Sequence, residues 1–178
     1  MNMDYNIKFY SNWHCGSGLA AGADVDALVV KDSDGLPYVP GRTIKGLLRD
    51  AATELGYDVS SINKVFGKAG EQKNQTGCAF FSNVVLPEQE AKEIVKGQLA
   101  SHLYQTFSFT AIDENGIARD NSLRKIETVV PCSLEGTISG IDSNDEAMLK
   151  EAMKFIKRMG TGRNRGYGRC KISIGKED

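Results

Sequence analysis

Two stretches of this chain place apolar residues at helical spacing, and each lies between segments that alternate apolar and polar residues. From Thr43 onward, Ile44, Leu47, Leu48, Ala51 and Leu55 share one helical face. After Ser143, the residues Leu149, Ala152, Met153 and Ile156 do the same. The alternating segments are Tyr5, Ile7 and Phe9 near the start, the run Cys78 to Leu86, then Val130, Cys132, Leu134 and Ile138, and finally Cys170, Ile172 and Ile174. A helix with one apolar stripe and a strand with one apolar face must bury them against each other.

Read in order, and with one insertion set aside, the pattern is strand, helix, strand, strand, helix, strand. That order predicts an α+β fold: a single ferredoxin-like (RRM-like) antiparallel sheet with two helices on one face. Thr43 is placed to cap the first helix and Gly56 to end it, while Ser143 and Glu146 match a capping box on the second, closed by Met159 and Gly160. Residues 27–31 and 36–39 flank Asp32-Ser33-Asp34-Gly35 and predict a hairpin. A short helix is expected over 60–66 and a loop over 68–77. The whole chain, 1–178, reads as one domain, with 87–127 an inserted surface helix and a projecting arm or thumb that turns at Asp113-Glu114-Asn115-Gly116.

Net charge is −1, which by itself argues against nucleic acid, but the charge is unevenly laid out. Lys154, Lys157, Arg158, Arg163, Arg165, Arg169 and Lys171 follow one another with no acidic residue between, whereas Asp24, Asp26, Asp32 and Asp34 make an acidic stretch. A basic face is therefore available at neutral total charge. The N-terminus lacks a signal-peptide pattern and no apolar run is long enough to span a bilayer, so a cytoplasmic protein with no membrane partner is expected. Cys15, Cys78, Cys132 and Cys170 stand singly, without ligand spacing, and read as small buried residues rather than zinc ligands.

The segment Gly160-Thr161-Gly162-Arg163-Asn164-Arg165-Gly166-Tyr167-Gly168-Arg169 bears the most chemistry. Its glycines let backbone N–H groups approach an anion, Arg163, Arg165 and Arg169 supply planar donors for phosphate, and Tyr167 offers a ring to a base or ribose. It lacks the Lys-Ser or Lys-Thr ending of a nucleotide-binding P-loop. A second basic element is Arg42, Lys45 and Arg49, along one face of the first helix, where Gly46 costs about 1 kcal/mol relative to Ala and suggests a close approach.

Together, VPGRTIKGLLR (39–49) and GTGRNRGYGR (160–169) resemble the two signature elements of the RAMP superfamily of CRISPR proteins. The region from Ala111 to Ala118, with Ser122-Leu123-Arg124 and Glu127, resembles the arm of the backbone subunits of type III effector complexes. The resemblance implies a subunit that binds guide RNA along its phosphates and assembles as a filament with copies of itself and other CRISPR effector subunits. It marks Gly162, Arg163, Asn164, Arg165, Gly166, Tyr167 and Arg169, with Arg42, Lys45 and Arg49, as RNA-binding. His14 falls where similar family members have a His near guide RNA, able to stack on a base, to donate to phosphate, or to be buried and hydrogen-bonded.

Some family members cut complementary target RNA with an aspartate between the first strand and first helix, and the similarity of residues 25–32 puts Asp26 in that position, with Asp24 a neighbour that would serve if the register slips. The implied cofactor is a divalent metal ion, Mg by analogy, held by Asp26 near the scissile phosphate. Two other readings stand beside it: a non-cleaving structural subunit, and a guide-RNA-processing endoribonuclease of the same superfamily. The latter class has two ferredoxin-like units and a His-based acid/base pair, whereas this chain is short and has only His14 and His102.

Overall fold

The computed structural model describes residues 1–20, 25–68 and 76–175. Asp24 and most of the loop expected over 68–77 lie outside them. Four strands, β1 (Asn2–Phe9), β2 (Phe80–Phe81), β5 (Ser133–Ser139) and β6 (Cys170–Ile174), form an antiparallel sheet in the order β2-β5-β1-β6. Strands β3 (Tyr104–Phe109) and β4 (Arg124–Val129) pair separately as a two-stranded antiparallel ribbon. Helices α1 (Gly41–Glu54) and α4 (Ser143–Phe155) pack against each other over the larger sheet, as the order of elements predicts.

The core lies between that helix pair and the sheet. Met3, Tyr5, Ile7 and Phe9 of β1, Leu134 and Ile138 of β5, and Cys170 and Ile172 of β6 meet Ile44, Leu48, Ala51 and Ala52 of α1 and Met148, Leu149, Ala152 and Met153 of α4. Tyr5 faces Gly136 across the strands, and a Cβ on Gly136 would stand 2.8 Å from its ring, so the glycine makes room for the phenol. Two further helices, α2 (Val59–Phe66) and α3 (Glu88–Lys96), flank this core, and no residue of α3 is buried. Among the described residues no helix is long and apolar enough to cross a membrane.

Several local expectations are corrected. Thr43 does not cap α1: Pro40 occupies the cap position, and the Gly41 N–H is taken by Asn83 Oδ1 at 3.0 Å. The capping box on α4 sits one residue earlier than expected, with Asp142 and Asp145 in the two roles, because Lys64 of α2 pairs with both carboxylates there. That helix ends at Phe155 rather than at Met159-Gly160. The run 78–86 yields only a two-residue strand, since Val84 turns to pair with Val39. Residues 27–31 and 36–39 share a single bridge, Lys31 to Pro37, and otherwise pair with other elements. The inserted helix stops at Lys96 on Gly97, and a 3₁₀ turn follows at Ala100–Leu103. Strand β5 begins at Ser133, after Pro131, which has no N–H to give a ladder. Ile174 is 44% exposed instead of facing inward, and Cys78 is exposed instead of buried.

Candidate nucleic-acid interface

The glycine-rich segment folds as a loop around a single 3₁₀ turn, Arg163–Arg165, bounded by Gly162 at φ 77° and Gly166 at φ 91°. Gly160 and Gly168 also have positive φ, at 86° and 66°. This is the left-handed region, costly for any residue with a Cβ. Two of the four are crowded as well: a Cβ would stand 2.3 Å from the His14 carbonyl oxygen at Gly160 and 1.8 Å from the Met159 carbonyl oxygen at Gly168. Composition therefore serves geometry here, and the geometry turns Arg163, Asn164, Arg165 and Arg169 out to solvent.

Behind the loop runs the segment Ser11–Ser17, which leaves β1 and fastens the loop by backbone hydrogen bonds. Gly168 N–H donates to the Asn12 carbonyl at 2.7 Å and Thr161 N–H to the His14 carbonyl at 3.0 Å, while Arg169 N–H donates to Ser11 Oγ at 3.0 Å. The same segment is tied to the ribbon: Trp13 and Val129 exchange N–H···O bonds of 3.0 and 2.8 Å, and Asn12 Nδ2 donates to Gln105 Oε1 at 2.9 Å. His14 is buried, 3% exposed, with Nδ1 2.6 Å from the Glu127 carbonyl oxygen. A carbonyl only accepts, so the proton is on Nδ1. His14 thus ties the loop to the ribbon, its backbone carbonyl holding Thr161 and its ring holding the Glu127 carbonyl of β4.

Tyr167 is half-buried and meets Phe107 and Phe109 of β3 edge-on, with ring centroids 5.6 and 5.9 Å apart. The guanidinium of Arg165 lies 5.8 Å from the Phe109 ring centroid. The two phenylalanines of the arm are therefore joined to the loop, and the three rings make one aromatic patch beside its arginines.

The first helix is less unified than its spacing suggests. Arg42 is exposed and lines an open cleft with Gly16, Ser17, Tyr38 and Phe80. Lys45 is half-buried, and Arg49 turns away to donate to Asn63 Oδ1 of α2 at 3.4 Å. Among the described residues, nothing beyond its neighbours and its own helix comes within 4 Å of where a Gly46 Cβ would sit, and the position is exposed. The helix N-terminus is only partly open to an anion, since Asn83 holds the Gly41 N–H; Gly41 itself is required because a Cβ would lie 2.1 Å from the Phe81 carbonyl.

Asp26 is exposed and lies beside β4. Its N–H donates to the Lys125 carbonyl at 2.9 Å and its Oδ2 accepts from the Lys125 N–H at 2.6 Å. Glu127 holds the residues that follow: its N–H donates to the Ala27 carbonyl at 3.0 Å, its carboxylate accepts from Val29 N–H at 3.0 Å and pairs with Lys31 at 2.8 Å. Lys31 Nζ also sits 3.8 Å from the Tyr104 ring centroid. Burial and the nearby Glu127 charge push the Tyr104 hydroxyl well above its ordinary value, so it stays protonated and donates to the Gly35 carbonyl at 2.6 Å. This Glu127 hub has no local signal in the sequence, because its partners lie about a hundred residues away in the chain. Among the described residues no three His, Cys, Asp or Glu side chains gather as a metal site.

A family model, the RAMP superfamily, matches residues 6–171. This chain belongs to the RAMP superfamily. The match spans both basic elements, the ribbon, strands β2 and β5, and parts of β1 and β6. Chains of known structure share its fold at low identity. One is from a cryo-EM structure of the type III-B Cmr-beta bound to cognate target RNA, with a TM-score of 0.76 at 11% identity over 98% of this chain and 97% of that one. Another is from the apo state of type III-B Cmr-beta, with a TM-score of 0.75 at 13% identity over 99% and 98%. No curated protein matches the sequence.

Proposed function

We propose that this RAMP protein is a type III CRISPR effector subunit that grips guide RNA by its phosphates and sits in an assembly with copies of itself and other effector subunits in the cytoplasm. The observation that carries this reading is the loop at 160–169, whose left-handed glycines turn three arginines outward while the segment behind it fixes its shape. Arg163, Arg165 and Arg169 would each take phosphate oxygens, Asn164 would donate to phosphate or ribose, and Arg42 would extend the contact across the Gly16–Ser17 cleft. Pre-organised donors lose little freedom on binding. His14 acts from beneath the loop, and the aromatic patch borders the path of the strand. By resemblance to the family, the ribbon at 104–129 would belong to the arm that interrupts the guide–target duplex at intervals.

Asp26 is the candidate for target cleavage. Its Oδ2 is positioned by the Lys125 amide, and its exposed carboxylate is suited to accept the proton of a ribose 2′-hydroxyl, whose oxygen attacks the adjacent phosphorus to form a 2′,3′-cyclic phosphate as the bond to the 5′ oxygen breaks and water protonates that oxygen. A divalent ion, Mg by its taste for oxygen, would find Asp26 as one carboxylate and would complete its shell with phosphate oxygens and water, supplying positive charge at the phosphate.

Both parts are separable by substitution. Reversing Arg163 and Arg165 to Glu should lower affinity for single-stranded RNA at low salt by more than tenfold; unchanged affinity removes the phosphate-grip reading. Asp26→Asn keeps the acceptor for Lys125 but not the charge. It should abolish cleavage of guide-paired RNA with binding intact; cutting that persists removes Asp26 as the cleaving residue, and a wild-type protein that binds without cutting is a non-cleaving structural subunit.

A further inference from the structure

A second cationic feature lies on the flank of the fold, away from the tip of the glycine loop. Between the C-terminal end of α4 and strand β6 is a cleft of about 450 Å³ lined by Lys154, Lys157, Arg158, Arg169, Lys171 and Tyr10. All five cations are exposed, and none of them forms an ion pair with a carboxylate of the described residues. Their convergence is built by the backbone. Arg158 bridges to Arg169, and Cys170 N–H donates to the Lys157 carbonyl at 2.9 Å, so the end of α4 is laid along the edge of β6 with like charges side by side. Lys171 also stands opposite Lys8 of β1 in the strand register.

Tyr10 is 49% exposed, and the Arg169 guanidinium sits 5.9 Å from its ring centroid. The cleft is joined to the loop: Arg158 Nη1 donates to the Arg163 carbonyl at 3.1 Å. Cations therefore run without interruption from Arg163 and Arg165 at the tip, past Arg158 and Arg169, to Lys154, Lys157 and Lys171.

We propose that this cleft is a phosphate track for the same RNA strand, in which Lys154, Lys157 and Lys171 take consecutive phosphates leaving the glycine loop and Tyr10 packs on a base. The inference rests on the RNA reading of the loop. RNA is favoured over an acidic protein partner because five exposed cations stand around an exposed aromatic ring, an arrangement that suits a ribose-phosphate chain.

The test uses the full chain with two unstructured oligouridylates, one of about six nucleotides and one of about twenty, titrated over a range of salt. Lys154→Glu, Lys157→Glu and Lys171→Glu together should weaken the long oligomer more than tenfold, leave the short one within twofold, and reduce the slope of log affinity against log salt by about 2, as three lost phosphate contacts require. The corresponding triple Lys→Gln variant should give a smaller change in the same direction and guards against misfolding, with circular dichroism checked for both. If the lysine variants bind both oligomers like wild type while Arg163→Glu/Arg165→Glu weakens both, the track is overturned and the loop reading survives. If neither set changes binding, both fall. Unchanged RNA affinity with loss of self-association in sedimentation would make the cleft a protein interface and overturn the track.

Discussion

Gly160 lies against the backbone of His14 so closely that a Cβ on the glycine would stand 2.3 Å from the His14 carbonyl oxygen. This contact seats the first residue of the arginine loop on the segment leaving β1, and the Thr161 N–H to His14 carbonyl bond completes the seat. Gly166, in contrast, has φ 91° but open space where its Cβ would go. Gly166→Ala should therefore cost only the left-handed penalty, about 1–2 kcal/mol, whereas Gly160→Ala should cost clearly more and weaken RNA binding. Urea unfolding of the two variants measures the difference, and equal losses would show that the close approach is not what demands glycine at 160.

Tyr167 links loop to ribbon through its edge contacts with Phe107 and Phe109. A double-mutant cycle between Tyr167→Ala and Phe107→Ala should yield a coupling of about 0.5–1.5 kcal/mol. Tyr167→Phe should keep it. A coupling near zero would mean that loop and ribbon are energetically independent.

Glu127 ties the Asp26 segment to β4 through Val29 and Lys31. Glu127→Ala leaves the Val29 N–H without its acceptor and should destabilise the fold by about 1–3 kcal/mol. Glu127→Gln retains one carbonyl acceptor and should lose less. Chemical denaturation decides this, and matching losses would indicate that the charge of Glu127, rather than its hydrogen bond to Val29, is what matters.

Lys64 of α2 pairs with both Asp142 at 2.6 Å and Asp145 at 2.9 Å at the start of α4. Its hydrogen bonds to them raise the Lys64 ammonium above its ordinary value, and the bond from Lys64, aided by the Asp145 and Asn144 amides, lowers Asp142 to about 2. A lowered carboxylate contributes stability above its unfolded value of about 3.9, and that contribution is lost as pH falls toward 2. The raised lysine contributes below about 10.4 and loses its share as pH climbs past that value. The stability gap between wild type and Lys64→Met should hold steady from about pH 5 to 9 and shrink toward both extremes. A gap independent of pH would rule the ion pair out as its source.

The glycine- and arginine-rich loop was legible because its glycines and arginines follow one another within ten residues, and the order of elements was legible because the periods of helix and strand differ. Cap positions were less so. Asp142 and Ser143 are adjacent caps of similar strength, and only the reach of Lys64 from α2 to both Asp142 and Asp145 distinguishes them. The break in the run 78–86 was hidden because Val39, the partner that draws Val84 away, is remote in sequence.

Residue order alone determined the alternation of strands and helices, the chemistry of the arginine loop and the family. Tertiary structure decided that His14 is a buried support, that Tyr167 rests on Phe107 and Phe109, that Glu127 holds the Asp26 segment, and that Arg42 and Arg49 part company. The reason is physical: periodicity and backbone conformation are local properties of the chain. Which donor meets which acceptor across a hundred residues depends on how packed elements are oriented, and that exists only once the sheet has closed on its helices.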